Sequence, residues 1–152
     1  ELPDAIEVFG NMTVSDSWLS VAQYQQAAIQ GHQLPVLSNS DAHQGAGSNL
    51  GKRYSVVFSS GLETHAILDA VRAGRSLACL DTNQAAPAVI GPFEWMAYTY
   101  FLIREFFPEH DSLCQSLGKL YQLELEAGGI MDIQKDLLQS KIQELYKLFW
   151  AD

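Results

Sequence analysis

Basic residues are scarce in this sequence. Nine Lys and Arg residues stand against 18 Asp and Glu residues among 152, which gives a formal net charge of −9. A protein that binds nucleic acid in general, or an anionic membrane, needs a basic surface stripe, so this balance argues against both partners. The acidic excess instead suits the binding of cations.

Cysteines and long apolar runs are also few. Cys79 and Cys114 are too few for a disulfide framework, which predicts a reducing, cytoplasmic location, and both are interpreted as small buried hydrophobic residues. The most apolar stretch, residues 95–103, is far shorter than the roughly 18–20 residues that span a bilayer. The sequence shows no signal-peptide pattern. It begins with Glu1 rather than Met, so we expect a portion of a longer protein, and a natural chain processed to this end is the alternative.

The composition is that of a folded protein, because apolar residues make up 47% of the chain and charged residues 18%. Residues 1–92 alternate short apolar runs with amphipathic stretches, which predicts βαβ units and a largely parallel sheet. The predicted strands are residues 5–9, 34–38, 54–58 and 76–80, and the predicted helices are residues 16–30 and 64–73. Residues 81–92 are predicted to form a connection, since Pro and Gly interrupt them.

Residues 93–152 are helical in pattern almost throughout. Helices are predicted at 93–107, 111–127 and 132–150, and the first is apolar on nearly every side, so we expect it to be buried. An up-and-down hairpin is the simplest packing, and a dimer surface formed by the aromatic helices is the alternative. The sequence thus predicts one domain at 1–92 and a helical extension at 93–152, through which a homo-oligomer could form.

Residues 37–43, Leu-Ser-Asn-Ser-Asp-Ala-His, carry the most informative polar pattern. Residues i and i+2 of an extended backbone point to the same side, so Asp41 and His43 would present a carboxylate oxygen and an imidazole nitrogen to one point. That pairing suits Zn²⁺, Mn²⁺ or Fe²⁺, and the end of a parallel strand is where α/β folds place their sites. Taken alone the motif is short, and a polar turn whose Asp and Ser cap the next segment explains it better.

The segments around this motif come in an informative order. I-E-V-F-G-N at residues 6–11 precedes it, and a predicted strand and I-L-D-A-V-R-A-G-R-S at 67–76 follow it. In this order the chain resembles the closing half of the PHP family (polymerase and histidinol phosphatase domain), over residues 4–80. No single motif carries the resemblance.

The resemblance implies the closing βα units of a distorted (β/α)₇ barrel followed by the helical extension. Such a barrel holds two or three divalent metals at the C-terminal ends of its strands and hydrolyses phosphate esters, because metals activate water and neutralise charge on phosphoryl oxygens. Asp41 and His43 match the last ligand pair of the family. The implied substrate is a phosphorylated small molecule or nucleotide.

Four further residues are candidates for contacts around the metal or the substrate. Glu7 lies on the first predicted strand, opposite its apolar neighbours, and points either into a barrel interior or to solvent. Asn11 follows one residue later than in the family pattern. Lys52 and Arg53 precede a strand and either contact a phosphate, for which Arg offers a bidentate fork, or form a solvated pair.

The early H-x-H pair of the family is absent, and His32, His65 and His110 lack ligand-like spacing. A catalytic metal site needs about three protein ligands and an open position, so two ligands from one loop are not enough. We therefore predict the C-terminal portion of a PHP-type metal-dependent phosphoesterase, inactive alone, whose other ligands lie upstream in the parent protein. The alternatives are a non-catalytic interaction or dimerisation module on a degenerate PHP scaffold, and an unrelated amidohydrolase-type metal hydrolase.

Overall fold

The computed structural model describes residues 3–10, 13–42, 51–81, 87–127 and 132–150. The chain divides into two compact units, residues 1–99 and 100–152. The first unit contains strands β1 (Ile6–Phe9), β2 (Val36–Ser38), β3 (Arg53–Val57), β4 (Ser76–Leu80) and β5 (Ala88–Ile90), and helices α1 (Val14–Ile29) and α2 (Thr64–Arg72). Helix α3 (Phe93–Glu105) crosses the division, and α4 (Phe107–Ala127) and α5 (Asp132–Trp150) belong to the second unit.

β1, α1 and β2 form a βαβ unit, as the alternating pattern predicts. The two strands pair in parallel, with Glu7 opposite Leu37 and Phe9 opposite Ser38. The register shifts between Glu7 and Phe9, so the strict alternation of faces breaks at the end of β1. Helix α1 covers the pair, and its Trp18 ring meets the Phe9 ring edge-on at a centroid distance of 6.1 Å.

β3, β4 and β5 form a separate antiparallel sheet in that order. The prediction of a largely parallel sheet is wrong for these strands. The chain leaves the C-terminal end of β3, passes through α2 and enters β4 beside that same end, so the two strands run antiparallel. Phe58 N–H donates to the Arg75 carbonyl at 2.9 Å and so extends the β3–β4 ladder. β5 lies in the stretch predicted as a connection, since an apolar run of three residues is too short to indicate a strand.

The predicted closing units of a distorted (β/α)₇ barrel are wrong. The described strands form a two-stranded and a three-stranded sheet, and they close no barrel. A barrel of this kind needs one continuous ladder of parallel strands, whereas here the second sheet is antiparallel throughout. The helices of the predicted C-terminal extension are present.

The core of the first unit lies where α1 meets the strands. Its fully or almost fully buried apolar side chains come from both sheets and from α1: Val8, Phe9, Val21, Val36 and Ala78. At the end of β3, Phe58 stacks on Trp95 of α3 with ring centroids 4.7 Å apart. Burial of these side chains supplies the main favourable free energy that holds the short strands in place.

α4 and α5 form an antiparallel hairpin, because residues early in α4 meet residues late in α5. His110 lies beside Tyr146, whereas Glu124 lies beside Lys135. The Lys135 ammonium group lies 2.8 Å from Glu124 and 3.0 Å from Asp132. Hydrogen bonds to Glu124 and then to Asp132 raise the pKa of Lys135 above its ordinary value, so this ion pair persists to high pH.

Helix α3 is less buried than its composition predicts. Leu102 is 4% exposed, but Phe93 is 83% exposed and Phe101 is 40% exposed. The expectation of a buried helix is therefore wrong, because an all-round apolar pattern indicates burial only where other elements cover every side. In the described ranges, every helix is too short or too polar to cross a membrane.

Candidate functional site

The C-terminal ends of β1 and β2 meet at one edge of the parallel pair. Asn39, the residue after β2, donates its backbone N–H to the Phe9 carbonyl at 3.0 Å, so the chain leaves β2 beside the end of β1. Open α/β sheets bind ligands at this edge, where the loops that follow the strands diverge. Two of the predicted site residues, Glu7 and Asp41, lie here.

Asn39 joins Glu7 to Asp41. Its side-chain amide donates a hydrogen bond to Glu7 Oε1, and its Oδ1 accepts the backbone N–H of Asp41 at 2.8 Å. Asp41 has a φ of +46°, in the left-handed region that Asp adopts more readily than most residues. The local sequence therefore encodes a turn after β2 in which the Asp41 backbone folds back onto the Asn39 side chain. We call Glu7, Asn39 and Asp41 the strand-edge site.

Gly10 leaves the space that the Glu7 carboxyl group occupies. A Cβ atom at Gly10 would lie 2.8 Å from Glu7 Oε2 and 2.9 Å from its Cδ, both closer than van der Waals contact allows. The Glu7 side chain thus folds against the backbone at the end of β1. In the sequence, this glycine marks only a departure from the family pattern, and its structural role follows from its missing side chain.

The electrostatics of the strand-edge site favour a cation. Partial burial of the carboxyl group and then the negative charge of Asp41 raise the pKa of Glu7 above its ordinary value. Glu7 as a whole residue is exposed, so the effect is local to its carboxyl group. A divalent cation beside both carboxylates would remove their repulsion, and oxygen donors of this kind fit Mn²⁺ well.

Part of the predicted site lies outside the described residues. His43 and Asn11 fall there, so the pairing of Asp41 with His43 stays a prediction. Among the residues that are described, no three His, Cys, Asp or Glu side chains assemble into a metal-binding group. The strand-edge site offers two carboxylates and an amide, and a catalytic metal centre would need about one ligand more.

Ser38, the last residue of β2, ties the two sheets together. Its buried hydroxyl group lies 2.9 Å from the Phe9 carbonyl and 3.1 Å from the Cys79 carbonyl. Its backbone N–H and carbonyl both bind the hydroxyl group of Ser55 on β3. These hydrogen bonds hold the backbone in place where the chain leaves β2 toward Asn39 and Asp41. This role is not predicted from the sequence, in which a serine at the end of an apolar strand is the one signal of it.

Lys52 and Arg53 lie at the beginning of β3. Arg53 shares a face of β3 with Ser55, because alternate residues of a strand point to the same side. Ser55 contacts Ser38 at the end of β2, so Arg53 lies on the face of β3 that is turned toward β2. The Lys52 carbonyl accepts the Asp81 N–H at 2.7 Å, which fixes the backbone at this position.

A cavity of about 440 Å³ lies elsewhere in the first unit. Pro35 and Gly74, which precede β2 and β4, line it together with Trp95. Glu7 and Asp41 are not among its lining residues. The cavity thus lies near the beginning of β2, whereas the strand-edge site lies near the C-terminal ends of β1 and β2.

The chain matches no protein-family model, no curated protein and no solved structure. The resemblance to the PHP family accordingly depends on the order of motifs in residues 4–80.

Proposed function

We propose that this chain is the C-terminal portion of a PHP-type metal-dependent phosphoesterase and that the strand-edge site contributes to its metal centre. The observation that supports this proposal is the Asn39 side chain at the C-terminal edge of a parallel strand pair, which binds the Glu7 carboxylate and the Asp41 backbone N–H. Two carboxylates in one place repel each other, and a cation relieves that repulsion. His43, two residues after Asp41, is the expected nitrogen ligand.

Each residue has a separate role in the proposed metal centre. A bound Zn²⁺, Mn²⁺ or Fe²⁺ would lower the pKa of a water molecule and neutralise charge on phosphoryl oxygens. Asp41 and His43 hold the cation in this proposal, and Glu7 supplies the second carboxylate. Asn39 orients Glu7 by binding one of its two oxygens, which leaves the carboxyl group little freedom to turn away.

Arg53 is the proposed phosphate contact, because its guanidinium group can donate two parallel hydrogen bonds to phosphate oxygens. Lys52 adds a positive charge beside it. The proposed substrate is a phosphorylated small molecule or nucleotide. Two free cysteines, Cys79 and Cys114, support a reducing compartment, and we propose a cytoplasmic location on that ground.

Calorimetric titration of inorganic phosphate tests this function without requiring turnover by the chain alone. Phosphate should bind the Mn²⁺-saturated protein and not the metal-free protein. Arg53→Gln should weaken phosphate binding roughly tenfold or more, since a hydrogen bond to a charged group contributes about 1.5–3 kcal/mol, and should leave Mn²⁺ binding intact. Arg72→Gln, on the exposed surface of α2, is the control and should change neither. A phosphate affinity that is the same with and without Mn²⁺ and is unchanged in Arg53→Gln would contradict the proposal.

A second candidate function is an interaction or dimerisation module built on a degenerate PHP scaffold. The observation that favours it is the exposure of large apolar side chains in residues 93–152. These include Phe93 at 83%, Leu125 at 87%, Ile133 at 83% and Leu148 at 77% exposed. Exposed apolar side chains that form one contiguous patch mark a surface that is covered on assembly.

The oligomeric state separates the two candidates. Light scattering should report a dimer or larger assembly for the module, and Leu148→Glu with Ile133→Glu should return it to a monomer. A monomer at all accessible concentrations, with Mn²⁺ and phosphate bound as above, would exclude homo-oligomerisation through these helices and leave the phosphoesterase proposal.

A further inference from the structure

Four side chains meet on the α4–α5 hairpin, outside the strand-edge site. His110 and Cys114 lie one turn apart on α4, with His110 Nε2 and Cys114 Sγ separated by 3.5 Å. The same Nε2 lies 3.2 Å from the Tyr146 hydroxyl group on α5. His110 Nδ1 lies 3.0 Å from the Asp111 carboxylate. We call these four residues the α4–α5 site.

The imidazole ring of His110 is held in a defined orientation. It stacks on the buried Phe106 ring with centroids 5.0 Å apart and planes inclined by 25°. Because the Asp111 carboxylate only accepts hydrogen bonds, Nδ1 carries the proton of the neutral ring and Nε2 keeps its lone pair. That lone pair is on the side of the ring where Cys114 and Tyr146 lie.

The two donor atoms are spaced like two ligands of one tetrahedral cation. Zinc bonds of about 2.0 Å to nitrogen and about 2.3 Å to sulfur, at a tetrahedral angle, place the two donors roughly 3.5 Å apart. A His and a Cys four residues apart on a helix present both atoms to one side. Asp111 has the position of the carboxylate that commonly fixes the far nitrogen of a metal-bound His.

We propose that His110 Nε2 and Cys114 Sγ bind a thiophilic divalent cation, best matched by Zn²⁺, with Asp111 orienting the imidazole. Cys114 is exposed, so the cation reaches it from solvent. Binding breaks the S–H bond, forms a metal–sulfur bond and releases the proton to water, with no change of oxidation state. Water would fill the other coordination positions, because no group of three His, Cys, Asp or Glu ligands is found among the described residues.

A nucleophilic cysteine is the other role that this geometry suggests. The fixed orientation of the imidazole ring and the spacing of the two donor atoms favour a metal ligand. This site is also chemically distinct from the strand-edge site, which offers oxygen donors.

Titration of the full chain with Co²⁺ alone tests the proposal, because a cobalt–thiolate bond gives a charge-transfer absorption in the near ultraviolet. One Co²⁺ per chain should produce this band, and Zn²⁺ should displace it. Cys114→Ser should abolish the band, and His110→Ala should weaken Co²⁺ binding at least roughly tenfold. Asp111→Asn should keep the band and weaken binding by about 10–100-fold.

Matched controls guard against misfolding and against other sites. Cys79→Ala and His65→Ala should leave band and affinity unchanged, and circular dichroism should show native helix content in every variant. Alkylation of Cys114 in the folded protein should also remove the band, without any substitution. Absence of the band in the wild-type protein, or its survival in Cys114→Ser, would overturn the proposal. Glu7→Gln should not affect the band, so the proposal for the α4–α5 site is tested independently of the proposal for the strand-edge site.

Discussion

The hydroxyl group of Ser55 satisfies both backbone groups of Ser38. It accepts the Ser38 N–H at 2.9 Å and donates to the Ser38 carbonyl at 2.8 Å. A side chain of the antiparallel sheet thus takes the place of a neighbouring strand at the end of β2. Ser38 immediately precedes Asn39 of the strand-edge site. The Ser38–Ser55 pair therefore links the packing of the two sheets to the position of Asn39.

Ser55→Ala should destabilise the fold, because it leaves the backbone N–H and carbonyl of Ser38 without these partners. An unsatisfied buried polar group costs about 1–3 kcal/mol, so the free energy of unfolding in urea should fall by about 2 kcal/mol or more. Ser55→Thr keeps the hydroxyl group and should cost less. Ser116→Ala removes an exposed helical hydroxyl bonded to the Ser112 carbonyl and should stay within about 0.5 kcal/mol of wild type. Equal losses in the two alanine variants would contradict the role of Ser55.

Gly10→Ala should displace the Glu7 carboxyl group while preserving the fold. The added methyl group would fall 2.8 Å from Glu7 Oε2, and the flexible side chain can move away. Mn²⁺ affinity should drop roughly tenfold, as it does when groups that orient a ligand are lost, with the thermal midpoint nearly unchanged. Gly118→Ala on α4, with no neighbour within 4 Å, should instead add about 0.5–1 kcal/mol of helix stability and leave Mn²⁺ binding alone. Unaltered Mn²⁺ affinity in Gly10→Ala would count against this arrangement of Glu7.

The raised pKa of Glu7 predicts a definite sign for its pH dependence. The folded protein holds the Glu7 proton more tightly than the unfolded chain does. Its stabilising contribution is therefore complete below the unfolded pKa of about 4.3 and is lost as the pH rises through the raised folded pKa. Urea unfolding across this range should show the loss in the wild-type protein and not in Glu7→Gln.

Asp41→Asn should lower the pKa of Glu7 toward its ordinary value, because the substitution removes one of the two causes of the shift. Burial of the carboxyl group persists, so the return should be incomplete. Titration of the Glu7 carboxyl carbon by NMR measures this, with Asp69→Asn as a control of equal charge change on α2. A Glu7 pKa that responds equally to both variants would show that Asp41 has no local effect.

The two thiols should differ strongly in reactivity. Cys79 in β4 is 0% exposed, and burial raises its pKa to about 12, whereas Cys114 on α4 is exposed. Iodoacetamide at neutral to mildly alkaline pH should therefore modify Cys114 in the folded protein and Cys79 only after unfolding, because the thiolate is the reactive form. Peptide mass spectrometry resolves the two sites. Similar modification of both thiols in the folded protein would contradict the burial of β4.

The sequence predicts local elements well where a periodic pattern has clear ends. The predicted bounds of β4 and of α5 coincide with those in the structure, and Gly74, with a φ of +72°, separates α2 from β4 as a helix-ending glycine should. Strand direction is a different matter. The apolar pattern indicates that β3 is a strand, but its direction relative to β4 depends on where the chain returns after α2, which the antiparallel register of the two strands shows.

The candidate site was predictable in part for a similar reason. Strand position and residue type single out Glu7 and Asp41 in the sequence, and in the structure Asn39 binds the Glu7 carboxylate and the Asp41 backbone N–H. The roles of Asn39 and Gly10 depend on β1 and β2 lying side by side, so no pattern within either segment indicates them. His110 and Cys114 have the spacing of a helical pair in the sequence. The interpretation of Cys114 as a buried hydrophobic residue is wrong, because its helix face is open to solvent.

Mn²⁺ binding followed by electron paramagnetic resonance tests most directly whether the strand-edge site holds a divalent cation. Bound Mn²⁺ loses the sharp spectrum of the free ion, and oxygen donors suit this cation better than thiolates do. We predict one Mn²⁺ per chain in the wild-type protein, in Cys114→Ser and in Asp69→Asn, and binding at least roughly tenfold weaker in Glu7→Gln and in Asp41→Asn. The same Mn²⁺ affinity in all five proteins would contradict the account.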